Sequence, residues 1–349
     1  MSKRSRRKME HIKYSLLLEK KLKRNVFSDI TLLHNCLSEV NLDEIDISTN
    51  LQNLRLEKPI IINAITGGFS FALAINRELA KIAREFGLAM AVGSQRIAIK
   101  DKSAQASFKV VREENPEGLI FANIGADASL EEVAEVVEMI NADAVQIHLN
   151  TPQEIVMAEG RKCFAGTVDN IKRIAAGVKV PVIVKEVGFG IAREEARMLV
   201  DCGVKIIDVG GAGGTDFIAI ENRRNRKNAV TTLEGWGIPT PVSLIEVISE
   251  IGDRADIIAS GGLKTGLDVA KSLALGAKAA GLAGTVLYKL LKGGPVALRK
   301  YLRQVERELR YSMAMVGANN LSELRKRPLI ITGKTYKWLK FRGIQIKPR

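Results

Sequence analysis

The chain has 349 residues, of which 46% are hydrophobic and 26% charged, so it carries enough apolar material for a large folded core and is not a disordered or fibrous sequence. Its net charge of +14 points to an acidic partner, which nucleic acid, an anionic membrane surface or a phosphorylated small molecule would satisfy. Three cysteines without CxxC spacing, Cys36, Cys163 and Cys202, exclude a disulfide framework and a zinc cluster, and Cys202 reads as buried filler in a helix.

The basic residues crowd the two ends: Lys3, Arg4, Arg6, Arg7 and Lys8 at the start, and Arg325, Lys326, Arg327, Lys334, Lys337 and Lys340 near the finish. Solvated tails explain these runs better than RNA-binding arms, which would interleave aromatics for base stacking. No secretory segment and no membrane-length apolar run is present, so neither nucleic acid nor membrane is the expected partner and the expected compartment is the cytoplasm.

From residue 60 onward, short β-rich runs alternate with helical patterns. The strands expected are Ile60–Ala64, Leu88–Val92, Leu119–Asn123, Ala144–Leu149, Val180–Glu186, Lys205–Val209, Asp256–Ser260 and Lys278–Leu282. Nearly continuous apolar strands are those covered on both faces. Helical spacing is clear in Leu73–Glu85, Leu130–Met139, Arg193–Val200 and Gly266–Leu275, with Ser129 and Glu132 as an N-cap pair and Gly87, Gly203 and Gly276 as stops. Eight such units predict a TIM (β/α)8 barrel. We expect a single domain, with an N-terminal extension over 1–58, the barrel over 59–293, and a C-terminal helix and basic tail over 294–349. The stretch from Gly211 to Pro239, with Arg223, Arg224, Arg226 and Lys227, is long for a barrel loop and suggests a lid or binding surface.

Barrel enzymes gather reactive groups at the C-terminal strand ends, and those ends are informative here. Glycine-rich turns after strands seven and eight (Ser260-Gly261-Gly262 and Gly281-Leu282-Ala283-Gly284-Thr285) predict a phosphate site, since glycine lets the backbone approach and a helix start supplies free N–H groups. Lys185 ends an apolar run and calls for an anion, either a reduced flavin or the carboxylates of Glu186 and Asp208. His148, Asn150, Gln153 and Glu154 cluster after strand four. Glu154 suits Mg²⁺, a general base or a helix-start carboxylate.

The ordered set Arg7-Lys8-Met9-Glu10-His11-Ile12, Thr66-Gly67-Gly68, Gly93-Ser94-Gln95-Arg96, Gln146-Ile147-His148-Leu149-Asn150 with Gln153-Glu154, Val184-Lys185-Glu186-Val187-Gly188, Gly213-Gly214-Thr215 and Ala259-Ser260-Gly261-Gly262 resembles the type 2, FMN-dependent isopentenyl-diphosphate delta-isomerases from about Arg7 to Arg310. The resemblance implies that Thr66, Gly67, Ser94, Asn123, Lys185, Thr215, Gly261, Gly262, Ala283 and Gly284 hold FMN. It implies that Arg7, Lys8, Arg96, His148 and Asn150 grip a substrate diphosphate, that Glu154 ligates Mg²⁺, and that Gln153 is catalytic and also touches the substrate. It further implies reduced FMN as acid and base, NADPH as its reductant, and a homo-oligomer of four or eight chains. Ile65 and Gly210 depart from the usual family pattern, and the basic C-terminal tail is unfamiliar in it.

Overall fold

The structure is a computed structural model, and it describes residues 3–19 and 25–345, with side chains from Arg6 onward; Lys3 and Arg4 of the basic start therefore lie outside the described side chains. Eight parallel strands close into a barrel. In chain order these are β1 (Ile60–Ile62), β2 (Ala89–Ala91), β3 (Ile120–Gly125), β4 (Ala144–Leu149), β5 (Val182–Glu186), β6 (Ile206–Asp208), β7 (Asp256–Ser260) and β8 (Ala279–Leu282), with β8 pairing back onto β1. All eight expected strands are present, two of them, Ala89–Ala91 and Ile206–Asp208, trimmed at both ends. The expected helices are present as well, and Ser129 with Glu132 forms a reciprocal capping box.

Strand side chains alternate between the inside of the barrel and its helical coat. Ile61, Ala89, Ala91, Phe121, Ala144, Ile183, Ile206, Ile258 and Ala279 point inward and form an apolar core of their own, which the hairpin of Thr49–Leu51 and Leu54–Leu56 plugs from below with Leu51, Leu54 and Leu56. Two residues further along the same strands, the inward positions turn polar: Asn63, Asn123, Gln146, Lys185, Asp208 and Ser260, all buried. Above that layer the barrel opens. The period of two thus stacks an apolar floor, a polar layer and a mouth within one narrow cylinder.

Both chain ends fold onto the barrel. Residues Lys3–Glu19 form a helix whose Ile12 is buried in the main core, and it lies across the mouth. The stretch expected as a basic tail is structured instead. Leu329–Ile331 pairs antiparallel with Ile30–Leu32, and helix Gly333–Phe341 packs on helix Thr240–Ile251. Arg342 after it is paired with Glu194 and Glu246, so part of the C-terminal charge is neutralised in place rather than solvated. Cys202 is another correction: it caps helix Arg193–Asp201 and is only half-buried. Among the described residues, no helix is long and apolar enough to cross a membrane.

Candidate active site

The mouth holds a cavity of about 540 Å³, within the range of ligand and cofactor pockets. Of the residues singled out in the sequence, Arg7, Lys8, Thr66, Ser94, Arg96, Asn123, His148, Asn150, Gln153, Glu154, Lys185, Thr215, Gly261, Gly262, Ala283 and Gly284 line it. Gly67 does not. A Cβ there would lie 2.0 Å from the Phe108 ring, and its carbonyl accepts from Lys8 Nζ at 2.6 Å.

Lys185 is 6% exposed and forms neither of the carboxylate pairs considered from sequence, because its Nζ donates to the Glu186 carbonyl at 2.7 Å. The Glu186 carboxylate turns the other way and accepts from the backbone N–H groups of Val187, Gly188 and Phe189. Burial pushes the Glu186 carboxyl up to about 7 against the pull of those donors and of Lys185. A cation is thereby left beneath the cavity, tethered by a neutral carbonyl.

After β4, Asn150 Nδ2 reaches Glu154 Oε1 at 3.1 Å, and Glu154 Oε2 accepts from the Arg161 backbone N–H at 2.7 Å. Glu154 lies in the first turn of helix Thr151–Val156, so the helix-start reading holds in part. Gln153 is buried at the cavity edge. Arg96 is paired with Asp127 at 3.0 Å, and Lys8 donates to the carbonyls of Gly67 and Ser94.

Glycines at the far end fit a phosphate group. Gly261 has φ +104°, and a Cβ on it would meet the Gly211 carbonyl at 2.0 Å; one on Gly214 would meet the Gly262 nitrogen at 2.7 Å. Only bare backbone packs that closely. An anion already tests this cradle: the Glu19 carboxylate accepts from Thr285 Oγ1 at 2.8 Å, sits 3.3 Å from Lys264 Nζ, and lies beside Gly284 at the start of helix Gly284–Met315. A cofactor phosphate seated there has to displace it. Glu19→Gln is therefore expected to tighten FMN binding about fivefold, the equivalent of one half-buried ion pair of ~1 kcal/mol. Flavin fluorescence titration reads this directly, and unchanged affinity would show that the two do not compete.

Three contributors, His11, Ser15 and Glu19, were not assigned from sequence. With Arg7 and Lys8 they line the cavity, and the spacing of three to four residues is the signal of one helix face. Their anchor is the long loop after β6, which folds into helix Phe217–Arg224. His11 Nε2 lies 2.8 Å from Glu221 Oε1, and Arg224 bonds Glu10, Glu159 and Glu221. The expected basic binding surface is thus partly an internal clamp that fastens the N-terminal helix over the mouth.

Residues 146–331 match the family described as FMN-dependent dehydrogenase. The chain is 47% identical over 342 residues to an isopentenyl-diphosphate delta-isomerase of Bacillus licheniformis, covering 98% of this chain and 97% of that one. It is 45% identical to the Moorella thermoacetica enzyme of that name, covering 97% of each. The chain belongs to the FMN-dependent, type 2 isopentenyl-diphosphate delta-isomerase family. Solved structures of the same fold include a mandelate oxidase with (S)-2-phenylpropionate (TM-score 0.65, 19% identity, 91% of this chain and 90% of that one) and a Pediococcus acidilactici lactate oxidase (TM-score 0.66, 18% identity, 92% and 87%). At such identities they speak for the barrel alone. The glycine cradle, the buried cation and the cavity volume fit an FMN, and the family's cofactor therefore has a place in this chain's own residues.

Proposed function

We propose that this chain isomerises isopentenyl diphosphate to dimethylallyl diphosphate on reduced FMN, with Mg²⁺ at the diphosphate and NADPH needed only to reduce the flavin. The observation that carries this reading is a single cavity with two anion-accepting ends: the glycine cradle of Gly261, Gly262, Ala283 and Gly284 on one side, and Arg7, Lys8, Arg96 and His148 on the other.

The cradle takes the FMN phosphate, Thr66, Ser94, Asn123 and Thr215 border the cofactor, and Gly67 acts at one remove by holding Lys8. Lys185 would supply a positive charge to the bound flavin. When bound, reduced FMN supplies an electron-rich ring able to exchange a proton and to stabilise positive charge on an alkene carbon. Arg7, Lys8, Arg96, His148 and Asn150 hold the diphosphate, and that binding energy orients the five-carbon chain. Glu154 offers Mg²⁺ one carboxylate, the usual protein share where substrate phosphates supply the rest. Gln153 borders the reacting carbons. The N-terminal helix, fastened by its Glu221 and Arg224 contacts, excludes water from the mouth.

The whole chain acts as one FMN-binding unit in this reading, located in the cytoplasm. A homo-oligomer of four or eight copies is what the family resemblance implies, and exposed Leu33, Leu37, Met315 and Ile330 around the Ile30–Leu32 ribbon offer an apolar surface for self-association. The decisive experiment is to purify the protein, record its visible spectrum, and assay isomerisation before and after dithionite. Activity is expected only after reduction, without stoichiometric loss of reductant. Full activity with oxidised flavin, or with none, overturns the reading, and one reductant consumed per product marks an oxidoreductase instead.

A further inference from the structure

The polar layer of the barrel is ordered in one direction. Asp208, fully buried on β6, accepts hydrogen bonds from Ser260 Oγ, from the Gly210 N–H and from Asn63 Nδ2 at 2.7 Å. A carboxylate only accepts, so the Asn63 side chain must turn its nitrogen toward Asp208. The Ala64 backbone N–H confirms that orientation by donating to Asn63 Oδ1 at 2.9 Å. Gln146 Nε2 also donates to Asn63 Oδ1, at 2.8 Å, which leaves Gln146 Oε1 to accept from Asn123 Nδ2 at 3.4 Å. Asn123 Oδ1 then faces His148 Nδ1 at 2.7 Å.

Each amide points its nitrogen toward Asp208 and its oxygen away. Flipping one would set oxygen against oxygen and N–H against N–H where Asn63, Asn123 and Gln146 are all buried, which costs unmade hydrogen bonds in a dry place. The last oxygen in the row needs a donor, and the ring nitrogen is the group that faces it.

We infer that Asp208, acting through Asn63, Gln146 and Asn123, is a positioning residue that fixes the hydrogen of His148 on Nδ1 and leaves the Nε2 lone pair for the cavity. Nothing in the sequence singled out Gln146 or Asp208 for such a task. The ring is neutral without ligand: burial, then the Lys185 charge, with Arg96 and Lys8, hold its pKa down to about 3 against the opposing pull of Asp127. Neutral and hydrogen-bearing on Nδ1, it turns a lone pair to the mouth. An anionic oxygen cannot bond that lone pair without a proton between them. If the diphosphate sits here, as the proposed function holds, it therefore enters with a proton at Nε2, brought on its own P–OH or taken from solvent. The row would thus make His148 a receptor for diphosphate plus proton rather than a fixed cation.

The test is ring-nitrogen NMR on the ¹⁵N-labelled, FMN-loaded protein near neutral pH. The chain has three histidines, so the spectrum holds few signals and His148 is assigned by its loss in His148→Gln. The expected result is a protonated-type Nδ1 and an unprotonated-type Nε2. Gln146→Met keeps the volume and cuts the row, and is expected to give a mixture of tautomers and to weaken binding of inorganic diphosphate with Mg²⁺ about tenfold, the worth of one charge-assisted hydrogen bond. Hydrogen on Nε2 in the unsubstituted protein refutes the inference, and that result needs no variant that folds. On adding inorganic diphosphate, Nε2 should shift to the protonated type. Bound diphosphate that leaves every His148 signal unmoved refutes its placement beside the ring, and with it the proton-coupled receptor, while the Nδ1 tautomer stands or falls on the first spectrum alone.

Discussion

Lys185→Gln is expected to lower turnover about 10²–10³-fold while the protein still folds, the loss typical of removing one preorganised charge or donor from a dry site. The side chain is 6% exposed and lies in the polar layer, where its Nζ donates to the Glu186 carbonyl at 2.7 Å. A tether that carries no charge offsets the lysine's charge less than a direct carboxylate pair would, and a buried cation of that kind is stabilised by an anion that joins it. Glutamine retains a donor for the carbonyl and removes only the charge, so the substitution separates the two. If the charge serves a reduced, anionic flavin, the midpoint potential of bound FMN should fall, because the oxidised form loses less than the reduced one. Redox titration of the variant checks this. A potential equal to that of the unsubstituted protein would place the lysine's role elsewhere, in packing or in the substrate.

How much of this site was legible beforehand depends on which periodicity carried the signal. The barrel was legible because eight apolar runs separated by helical spacing admit few other arrangements, and each strand end then named its own mouth residues. The same strands hid the polar layer. Gln146, Asp208 and Asn63 were legible only as separate groups near strand ends, and inward alternation from Ala144, Ile206 and Ile61 shows that they share one level inside the barrel. Pairings between distant strands, such as Asn63 with Asp208, depend on barrel closure and register, which one-dimensional spacing does not encode. The N-terminal helix fell between the two cases. Its 3.6-residue face was readable from Arg7 to Glu19, yet its destination depends on Glu221 and Arg224, more than 200 residues away in sequence. The folded C-terminal stretch was missed because charge outweighed its few inward apolar side chains, half-buried Leu329 and Ile331 and the Thr335–Leu339 face, whose Thr335 and Leu339 are buried.

Glu154→Gln is expected to cut activity at least about 10²-fold and to flatten its response to Mg²⁺, while FMN binds as before. No group of three or more His, Cys, Asp or Glu side chains able to hold a metal occurs among the described residues, so a divalent ion at this mouth has to draw most of its ligands from the substrate and water. That would make its affinity conditional on the diphosphate and sensitive to Glu154, which lines the cavity together with Asp127 and Glu159. Glu154 is held in place rather than left free: Asn150 Nδ2 meets Oε1 at 3.1 Å, and the Arg161 N–H meets Oε2 at 2.7 Å. Glutamine can satisfy one of these contacts with its oxygen, but it turns a donor toward the other, so a local shift of residues 157–162 is part of the expected effect. Two measurements keep that shift apart from loss of the metal. Flavin affinity reports on the far end of the cavity and should not move, whereas diphosphate binding measured with and without Mg²⁺ should lose its metal dependence. A variant that binds diphosphate more weakly but still gains fully from Mg²⁺ would assign Glu154 to holding the loop, and the ion to other ligands.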